Sequence, residues 1–237
     1  MCYSNSLTSK NVDLSKKYKR AVPSEITEEP LFHASAFAYP AWRIVTKEPE
    51  ISVMNWGLVP YWFSGGNPSE IASKTINARS ETVLEKPSFK HLIGRKHCIV
   101  PSTGFFEYQT KGKEKIPYFV YPKTDALFSM AGLYDEYLDP ISLEKKHTFT
   151  ILTSEANEFM AEIHNSKKRM PIMLADDQLE DWLHAKAIDV KDFFQLTSND
   201  LFAAHVINPK LMSSPNHNSP EILLDYKMDR YEQGSLF

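Results

Sequence analysis

Cysteine, glycine and long apolar runs are all scarce in this sequence, and each scarcity excludes a class of protein. Two cysteines, Cys2 and Cys98, are too few for a disulfide framework and form no zinc pattern. No apolar run approaches the ~18 residues of a transmembrane helix, and the first twenty residues lack the apolar core of a signal peptide. We therefore expect a cytoplasmic protein in a reducing compartment, without membrane association.

The charge and the length of the chain further restrict the class of protein and the number of domains. The net charge of −3 argues against a protein that coats nucleic acid non-specifically, although basic clusters occur at Lys86–Lys96 and Lys167–Arg169. The 237 residues fit one large domain or two small ones, and no glycine/serine linker divides them. We predict a single domain over residues 2–225, followed by a polar tail over 226–237.

Strand-like segments recur between turn signals, whereas helical signals are fewer. Strands are predicted at Ile51–Leu58, His97–Pro101, Tyr118–Tyr121, Leu127–Leu133, Thr148–Thr153 and Ala203–Val206. Helices are predicted at Leu14–Arg20, at Glu155–His164 capped by Ser154, at Gln178–Ala185 opened by Asp177, and from Asp189 to Phe194. This pattern favours an α+β fold, in which a β-barrel-like core of curved antiparallel sheet carries peripheral helices.

The second residue, Cys2, carries two nucleophiles once the initiator Met1 is removed, and a small residue at position 2 normally allows that removal. Its α-amine titrates near ~7.7–8.0 and its thiol near ~8.5, so a fraction of each is reactive at neutral pH. The amine can form an imine with an aldehyde, which the thiol then closes into a five-membered thiazolidine. Alternatively, the thiolate can attack a carbonyl group with the amine as base.

Two pairs of residues in the middle of the chain suit contact with nucleic acid. Trp56 and Trp62 flank a proline turn, where core packing and stacking on bases both remain open. Asn77 and Arg79 share one face if their segment is extended. Asn77 can then orient a carbonyl or an amine, and Arg79 can bind a phosphate through two hydrogen bonds.

Glu107 and His164 are the candidates for proton transfer. Glu107 stands among Phe105, Phe106 and Tyr108, so an inward-facing carboxylate would have a raised pKa, whereas an outward-facing one would be an ordinary exposed strand residue. His164 is predicted to close a helix just before a basic segment. We expect nearby cations and desolvation to lower the pKa of His164.

Taken together, these segments resemble the SRAP family, which includes bacterial SOS-response-associated peptidases and the eukaryotic abasic-site shield protein. The resemblance follows the family's order and runs from residue 2 to about residue 224. Its motifs are Cys2 behind Met1, Trp56-Gly57-Leu58-Val59-Pro60, Asn77-Ala78-Arg79 with Glu81, Cys98-Ile99-Val100-Pro101, Gly104-Phe105-Phe106-Glu107, Ala131-Gly132-Leu133-Tyr134, Thr150–Asn157, and His164 before Arg169-Met170-Pro171.

The resemblance implies the SRAP fold and an abasic-site sensor, in which Cys2 cross-links to the ring-opened aldehyde of an abasic site in single-stranded DNA. By the same resemblance, Asn77 positions Cys2, Glu107 assists proton transfer, and His164 is the acid/base for imine formation and reversal. DNA contacts are expected at Arg79, Arg169, Trp56, Trp62, Thr153 and Lys90. No metal or organic cofactor is implied, and we expect a monomer that associates with the nucleoid when bound to damaged DNA.

The chain differs from the family pattern at two places. Family members commonly begin Cys-Gly-Arg, whereas this chain reads Cys2-Tyr3-Ser4, which removes a basic phosphate contact and adds bulk beside the nucleophile. In addition, Asn165–Lys168 lengthens the usual one-residue gap between His164 and Arg169. Lys167 or Lys168 is a candidate to restore the lost positive charge.

Two other functions remain open at this point. An N-terminal thiol peptidase or amidohydrolase would use Cys2 on amide carbonyls, with an activity as narrow as removal of its own leading residue. A non-covalent single-stranded-DNA-binding module would be indifferent to Cys2 and to the lesion. Lyase activity can also accompany the cross-link, since an imine permits strand cleavage by β-elimination.

Overall fold

The structure is a computed structural model that describes residues 2–195, 197–213 and 218–227. The predicted α+β class is confirmed, with a nearly closed, barrel-like sheet. The strands are β1 (Ser4–Leu7), β2 (Leu31–Ser35), β3 (Ala41–Ile44), β4 (Ser52–Trp56), β5 (Asn77–Arg79), β6 (His97–Ser102), β7 (Gly104–Lys111), β8 (Glu114–Pro122), β9 (Phe128–Leu138), β10 (Lys145–Glu155), β11 (Arg169–Pro171) and β12 (Phe202–Val206). The α-helices are α1 (Asn11–Tyr18), α2 (Pro68–Ala72), α3 (Glu158–Ile163), α4 (Leu179–His184) and α5 (Pro209–Met212).

The strands form two sheets. The first has the order β12-β8-β7-β1-β2, and the second has the order β3-β4-β10-β9-β6, with β5 and β11 also paired to β10. A bridge between Val45 and Ile99, with N–H···O distances of 3.1 and 2.8 Å, brings the end of β3 back to β6. The second sheet therefore nearly closes on itself, which accounts for the barrel-like shape.

The expectation of an antiparallel sheet is wrong in one part of the barrel. Strand β10 pairs in parallel with β4 and with β5, so the second sheet is mixed. These parallel pairings place Asn77 beside Ile151 and Arg79 beside Thr153. The paired segments are 93 residues apart for β4 and 74 residues apart for β5, separations at which local sequence patterns carry no information on pairing.

Each predicted strand is present, but the predicted helices begin or end elsewhere. Strand β10 continues through Glu155, because Glu155 pairs with Arg169 of β11, so Ser154 caps no helix. Helix α3 is capped instead by Asn157, whose side-chain oxygen accepts a hydrogen bond from Met160 N at 2.9 Å. Helix α1 begins and ends earlier than predicted. Asp177 lies inside a 3₁₀ turn, Asp176–Gln178, that precedes α4, and the segment after Asp189 is a 3₁₀ turn, Val190–Phe194.

The core of the barrel is aromatic and apolar. Trp42, Trp56 and Phe149 are all buried, with ring centroids 6.1–6.3 Å apart between successive members. The indole N–H groups of Trp42 and Trp56 donate to the carbonyls of Pro101 and Ile76, so their burial leaves no unsatisfied donor. In the described part of the chain, no helix is long and apolar enough to cross a membrane.

The predicted polar tail falls largely on residues 228–237, which lie outside the described residues. At its start, Tyr226 N donates a hydrogen bond to the carbonyl of Val206 in β12 at 2.8 Å.

Candidate active site

Strand β1 fixes the position of Cys2. It lies between β2 and β7, and Ser4 is aligned with Ser35 on one side and Phe106 on the other. Just before the strand, the carbonyl of Tyr3 accepts a hydrogen bond from Ala36 N at 2.8 Å. Because the chain is paired on both sides up to this point, Cys2 enters the interior, where its side chain is fully buried.

Asn77 holds Cys2 directly. Its Nδ2 donates a 2.8 Å hydrogen bond to the Cys2 carbonyl oxygen. Asn77 and Arg79 lie on strand β5 with buried Ala78 between them, so the predicted sharing of one face is confirmed. Arg79 is exposed, and Arg79 and Asn77 line the same groove.

Glu107 and His164 form a buried pair beside Cys2. The His164 Nδ1 atom lies 3.7 Å from Glu107 Oε1, and both side chains are less than a tenth exposed. His164 Nδ1 is also 2.9 Å from the carbonyl oxygen of Arg169. A carbonyl oxygen only accepts, so Nδ1 carries the proton in the neutral ring and Nε2 carries the lone pair.

The pKa shifts of this pair have the directions expected from the sequence. Burial raises the pKa of Glu107 from its ordinary 4.5 to about 7. Burial lowers the pKa of His164 from 6.5 to about 4, and the charges of Lys167 and Arg169 add to this effect. Near neutral pH the pair therefore combines a carboxyl that is partly protonated with an imidazole that is neutral, which gives a proton donor and a proton acceptor in one site.

The thiol of Cys2 lies in an environment that disfavours its anion. Burial raises its pKa strongly, and the nearby Glu107 carboxylate raises it further. Its Sγ atom lies 3.6 Å from the carbonyl oxygen of Ser4. Because a protonated thiol is a poor nucleophile toward amides, this environment suits a step in which S–H adds to an already activated carbon more than direct thiolate attack.

Arg169 occupies a different place from the one predicted. Its guanidinium is buried and pairs with both carboxylate oxygens of Glu81, Nη2 to Oε2 at 3.0 Å. Nη2 also donates to the carbonyl and the hydroxyl oxygen of Thr153, at 2.7 and 3.2 Å. Arg169 therefore forms its hydrogen bonds with Glu81 and the buried Thr153, and neither Arg169 nor Thr153 is available to a phosphate in this structure.

Glu81 is the residue of this cluster to which the sequence assigned no role. It follows β5 on the turn after Arg79, where Ser80 N donates to the carbonyl of Thr153 at 2.9 Å. The signals in the sequence were an acidic residue two positions after Arg79 and an arginine 88 positions further along the chain. Pairing the two requires knowing that β5 and β11 both lie on β10.

An open groove with several basic side chains runs next to Cys2. This basic groove has a volume of about 620 Å³, and its lining includes Tyr3, Asn77, Lys74, Arg79 and Lys86, together with the acidic Glu70. Lys86 belongs to a basic cluster visible in the sequence, whereas Lys74 had no signal beyond its charge. The basic groove therefore extends from Asn77, which contacts the Cys2 carbonyl, to the basic side chains in its lining.

Two predicted stacking residues are placed very differently. Trp56 is buried in the barrel core with its ring 14° from parallel to Phe149, so a role in stacking on bases is wrong for this residue. Trp62 is 45% exposed on the loop after β4. Lys90 is exposed on the turn that follows Lys86. Trp62 and Lys90 thus remain predicted DNA contacts outside the immediate lining of the basic groove.

The inserted segment Asn165–Lys168 forms a fixed loop beside the buried pair. Asn165 accepts a hydrogen bond from Thr110 N at 2.9 Å and donates one to Thr110 O at 2.8 Å, which clamps the loop to β7. Lys168 N donates to the carbonyl of His164 at 2.8 Å. Lys167 is exposed and acts electrostatically on both Glu107 and His164, so the loop supplies a positive charge to this end of the site.

Comparison with known proteins agrees with the fold. The family model described as SOS response associated peptidase (SRAP) matches residues 1–214. The chain therefore belongs to the SRAP family. A crystal structure of a protein from Bacteroides thetaiotaomicron has a TM-score of 0.89 and 36% sequence identity, covering 95% of this chain and 100% of that one.

Curated relatives carry a name that bears on function. The abasic site processing protein YoqW of Bacillus subtilis is 34% identical over 201 residues, which cover 81% of this chain and 86% of YoqW. The abasic site processing protein YoaM of the same organism is 38% identical over 176 residues, covering 72% and 73%. The abasic site processing protein HMCES of Gallus gallus is 33% identical, with 74% of this chain matching 57% of that protein.

Proposed function

We propose that this protein processes abasic sites in single-stranded DNA by forming a covalent cross-link through Cys2 after Met1 is removed. The names of its curated relatives support the general activity. The observation that carries the specific chemistry is that Asn77 holds the Cys2 backbone while the Glu107–His164 pair lies beside the same residue. The residue with two nucleophiles, the side chain that binds its backbone, and a proton donor with a proton acceptor then form one site.

The proposed reaction proceeds in three balanced steps. First, the free α-amine of Cys2 adds to the ring-opened aldehyde carbon of the abasic sugar, which gives a carbinolamine. Second, the carbinolamine loses water and becomes an imine. Third, the Cys2 S–H adds across the C=N bond, sulfur to carbon and hydrogen to nitrogen, which closes the thiazolidine ring. One water molecule is the only leaving group, and no oxidant or reductant is required.

The acid–base roles follow from the pKa shifts. Protonated Glu107 donates a proton to the hydroxyl that leaves as water in the second step. Neutral His164 accepts the proton that the amine must lose after it attacks the aldehyde. Reversal of the cross-link uses the same two groups in the opposite sense, because the forward and reverse reactions share their transition states.

The buried thiol favours this route over that of a thiol peptidase. A peptidase needs a thiolate as its first nucleophile, whereas the pKa of the Cys2 thiol is strongly raised by burial. In the imine route the thiol acts last, as S–H, on a carbon that the amine has already activated. We propose strand cleavage by β-elimination as a side reaction from the imine, and autolytic removal of the leading residue as a separate activity.

A denaturing gel with abasic and intact single-stranded DNA tests the proposal. We expect a heat-stable adduct with abasic DNA alone, and intact mass spectrometry of the active protein should show that Met1 is absent. Cys2→Ala and Cys2→Ser should both abolish the heat-stable adduct. Because each keeps a free α-amine, each should give only an imine that borohydride traps. Cys98→Ala is the matched control, because Cys98 is also buried but lies on β6 in the barrel, and it should retain the adduct.

The outcomes of this gel separate the rival functions. A heat-stable adduct that persists in Cys2→Ala would assign the chemistry to another nucleophile, and full activity from protein that uniformly retains Met1 would exclude the thiazolidine. Binding of both DNAs without any adduct would identify a non-covalent binding module.

The DNA path can be tested separately from the chemistry. Arg79 is exposed in the basic groove, so Arg79→Gln should flatten the log–log salt dependence of non-covalent binding by about one unit. Arg169 is already paired with Glu81, so Arg169→Gln should lower stability and leave the salt slope nearly unchanged. Equal slopes for wild type and Arg79→Gln would place the DNA outside this groove.

A further inference from the structure

Tyr3 and Phe37 form an aromatic pair at the mouth of the site, and the proposed mechanism does not use it. Their ring centroids are 5.2 Å apart, with an angle of 34° between the planes. Tyr3 is half-buried against the main core and lines the basic groove with Asn77 and Arg79. Phe37 is 56% exposed, although burial would stabilise a phenyl ring.

The backbone fixes this pair relative to the nucleophile. Tyr3 directly follows Cys2, and its carbonyl accepts a hydrogen bond from Ala36 N at 2.8 Å. The 3₁₀ turn Ala36–Ala38 begins there and carries Phe37 outward over the Tyr3 ring. The aromatic pair is therefore held in place by the backbone, one residue away from the amine and the thiol of Cys2.

The charges around Tyr3 place its ring between the two functional regions. Burial raises the pKa of the Tyr3 hydroxyl, the Glu107 carboxylate raises it further, and Arg79 acts in the opposite direction. The ring thus lies within electrostatic reach of both the acid–base pair and the cation of the groove. The phenol stays neutral at physiological pH, so it offers a flat surface that does not repel phosphates.

An abasic nucleotide has no base of its own, so selective binding must use its phosphates and its neighbours. We propose that Tyr3 and Phe37 form a platform on which the nucleobase next to the abasic nucleotide stacks, making this chain sensitive to the base that flanks the lesion. The inference rests on the proposed function, since it assumes that the lesion reaches Cys2. Stacking is sequence-tolerant because every base has a π face, yet larger purines stack more strongly than pyrimidines.

Equilibrium binding to DNA that carries tetrahydrofuran, an abasic analogue without an aldehyde, isolates stacking from cross-linking. Three single strands are compared: the analogue flanked by purines, by pyrimidines, or by further tetrahydrofuran residues that have no base. Tyr3→Ala should weaken binding to the purine-flanked strand about 5- to 100-fold, and binding to the baseless strand should not change. Tyr3→Phe should keep wild-type affinity, because the ring and not the hydroxyl carries the stacking.

Phe37→Ala provides a second variant that does not touch β1, and its exposed side chain can be removed with little effect on folding, as a melting curve will verify. Tyr61→Ala is the matched control, because Tyr61 is 60% exposed but packs on His91, with ring centroids 5.0 Å apart. An equal loss of affinity for all three strands in Tyr3→Ala and Phe37→Ala, or no loss at all, would overturn the platform.

The proposed function can fail independently of this inference. Its failure would appear as no adduct between wild-type protein and true abasic DNA on the denaturing gel. The platform is judged by a different quantity, namely whether removal of the flanking bases cancels the effect of Tyr3→Ala. If Tyr3→Ala no longer weakens binding once the flanking bases are removed, the platform is supported. If it weakens binding just as much without them, the platform is rejected, whether or not the wild type forms the adduct.

Discussion

Two buried carboxylates in this protein, Asp135 and Glu107, have opposite surroundings. Asp135 on β9 accepts hydrogen bonds from Lys96 Nζ at 2.7 Å, His91 Nε2 at 2.9 Å and Tyr61 N at 2.8 Å. Glu107 on β7 has its Oε1 atom 3.7 Å from an imidazole nitrogen of His164, and burial raises its pKa to about 7. Burial alone therefore does not set the behaviour of a carboxylate: Asp135 contacts a lysine ammonium group directly, whereas desolvation is the largest influence on the pKa of Glu107.

The comparison assigns different tasks to the two groups. Asp135 ties the loop after β4 to the turn before β6, so it holds the barrel together. Glu107 retains a proton that it can transfer near neutral pH. Substitutions at the two carboxylates should therefore separate an effect on reaction rate from an effect on stability.

The largest effect is expected on the rate of cross-linking when the acid–base pair is altered. Glu107→Gln and His164→Ala should each slow adduct formation or release by about 10²–10⁴-fold, the usual contribution of a positioned proton donor or acceptor. Asn77→Ala should have a smaller effect, because it orients Cys2 without moving a proton. Single-turnover kinetics from pH 5 to 9 will measure this, with a melting curve for each variant. Wild-type rates and pH profiles in both Glu107→Gln and His164→Ala would show that this assignment is wrong.

Asp135→Asn should act on stability instead of chemistry. Removing the charge leaves Lys96 without its anion, and because the lysine side chain is a third exposed, the free energy of unfolding should fall by about 1–3 kcal/mol. Urea unfolding at pH 7 will measure the change, with Glu136→Gln as control, since the Glu136 side chain is exposed on the same strand. A loss of stability in the control equal to that in Asp135→Asn would remove the distinction.

The two members of the reactive pair should have opposite effects on the pH dependence of stability. The pKa of Glu107 is raised, so its contribution to stability is present below about pH 4.5 and is lost as the pH rises through 7. The pKa of His164 is lowered, so its contribution is present above about pH 6.5 and is lost as the pH falls through 4. In the wild type these slopes oppose each other between pH 4.5 and 6.5.

Single variants should reveal each slope. Relative to wild type, Glu107→Gln should gain stability more steeply as the pH rises through this window, whereas His164→Gln should lose stability. Urea unfolding at pH 4.5, 5.5 and 6.5 provides the measurement. Parallel curves for the two variants would mean that these groups do not titrate as described.

The smallest effect is expected from the inserted loop. Lys167 lowers the pKa of both Glu107 and His164, so Lys167→Gln should move the pH–rate profile to higher pH, by less than about one unit because the lysine is exposed. Lys168→Gln is the matched control and should leave the profile in place. Identical shifts in both variants would indicate a general change of net charge.

The sequence predicted the strands better than it predicted their partners. Alternation and turn residues located the strand that begins at His97 and the one that ends near Val206, because these signals are local. The mixed sheet depends on the parallel approach of β4 and β5 to β10, which no local pattern encodes. The α3 cap was misplaced because β11 extends the pairing of β10 through Glu155.

The residues of the site divide in the same way. Cys2, Asn77, Glu107 and His164 could be found from motif order, and the structure brings them together; their catalytic roles stay predictions. Arg169 and Trp56 could not be placed, because a motif does not show whether its basic or aromatic residue faces solvent or the core. Their burial depends on Glu81 and Phe149, which reach them only through the folded sheet.

The position of β1 between β2 and β7 also has a consequence for the order of folding. Ser4 aligns with Phe106, so the contact that encloses Cys2 joins segments about a hundred residues apart and has a high contact order. During vectorial synthesis, β2 can pair with β1 early, but β7 leaves the ribosome much later. Cys2 thus stays accessible on the nascent chain until β7 pairs with β1. The processing of Met1 that the proposed chemistry requires therefore has a time window, which closes when tertiary structure forms.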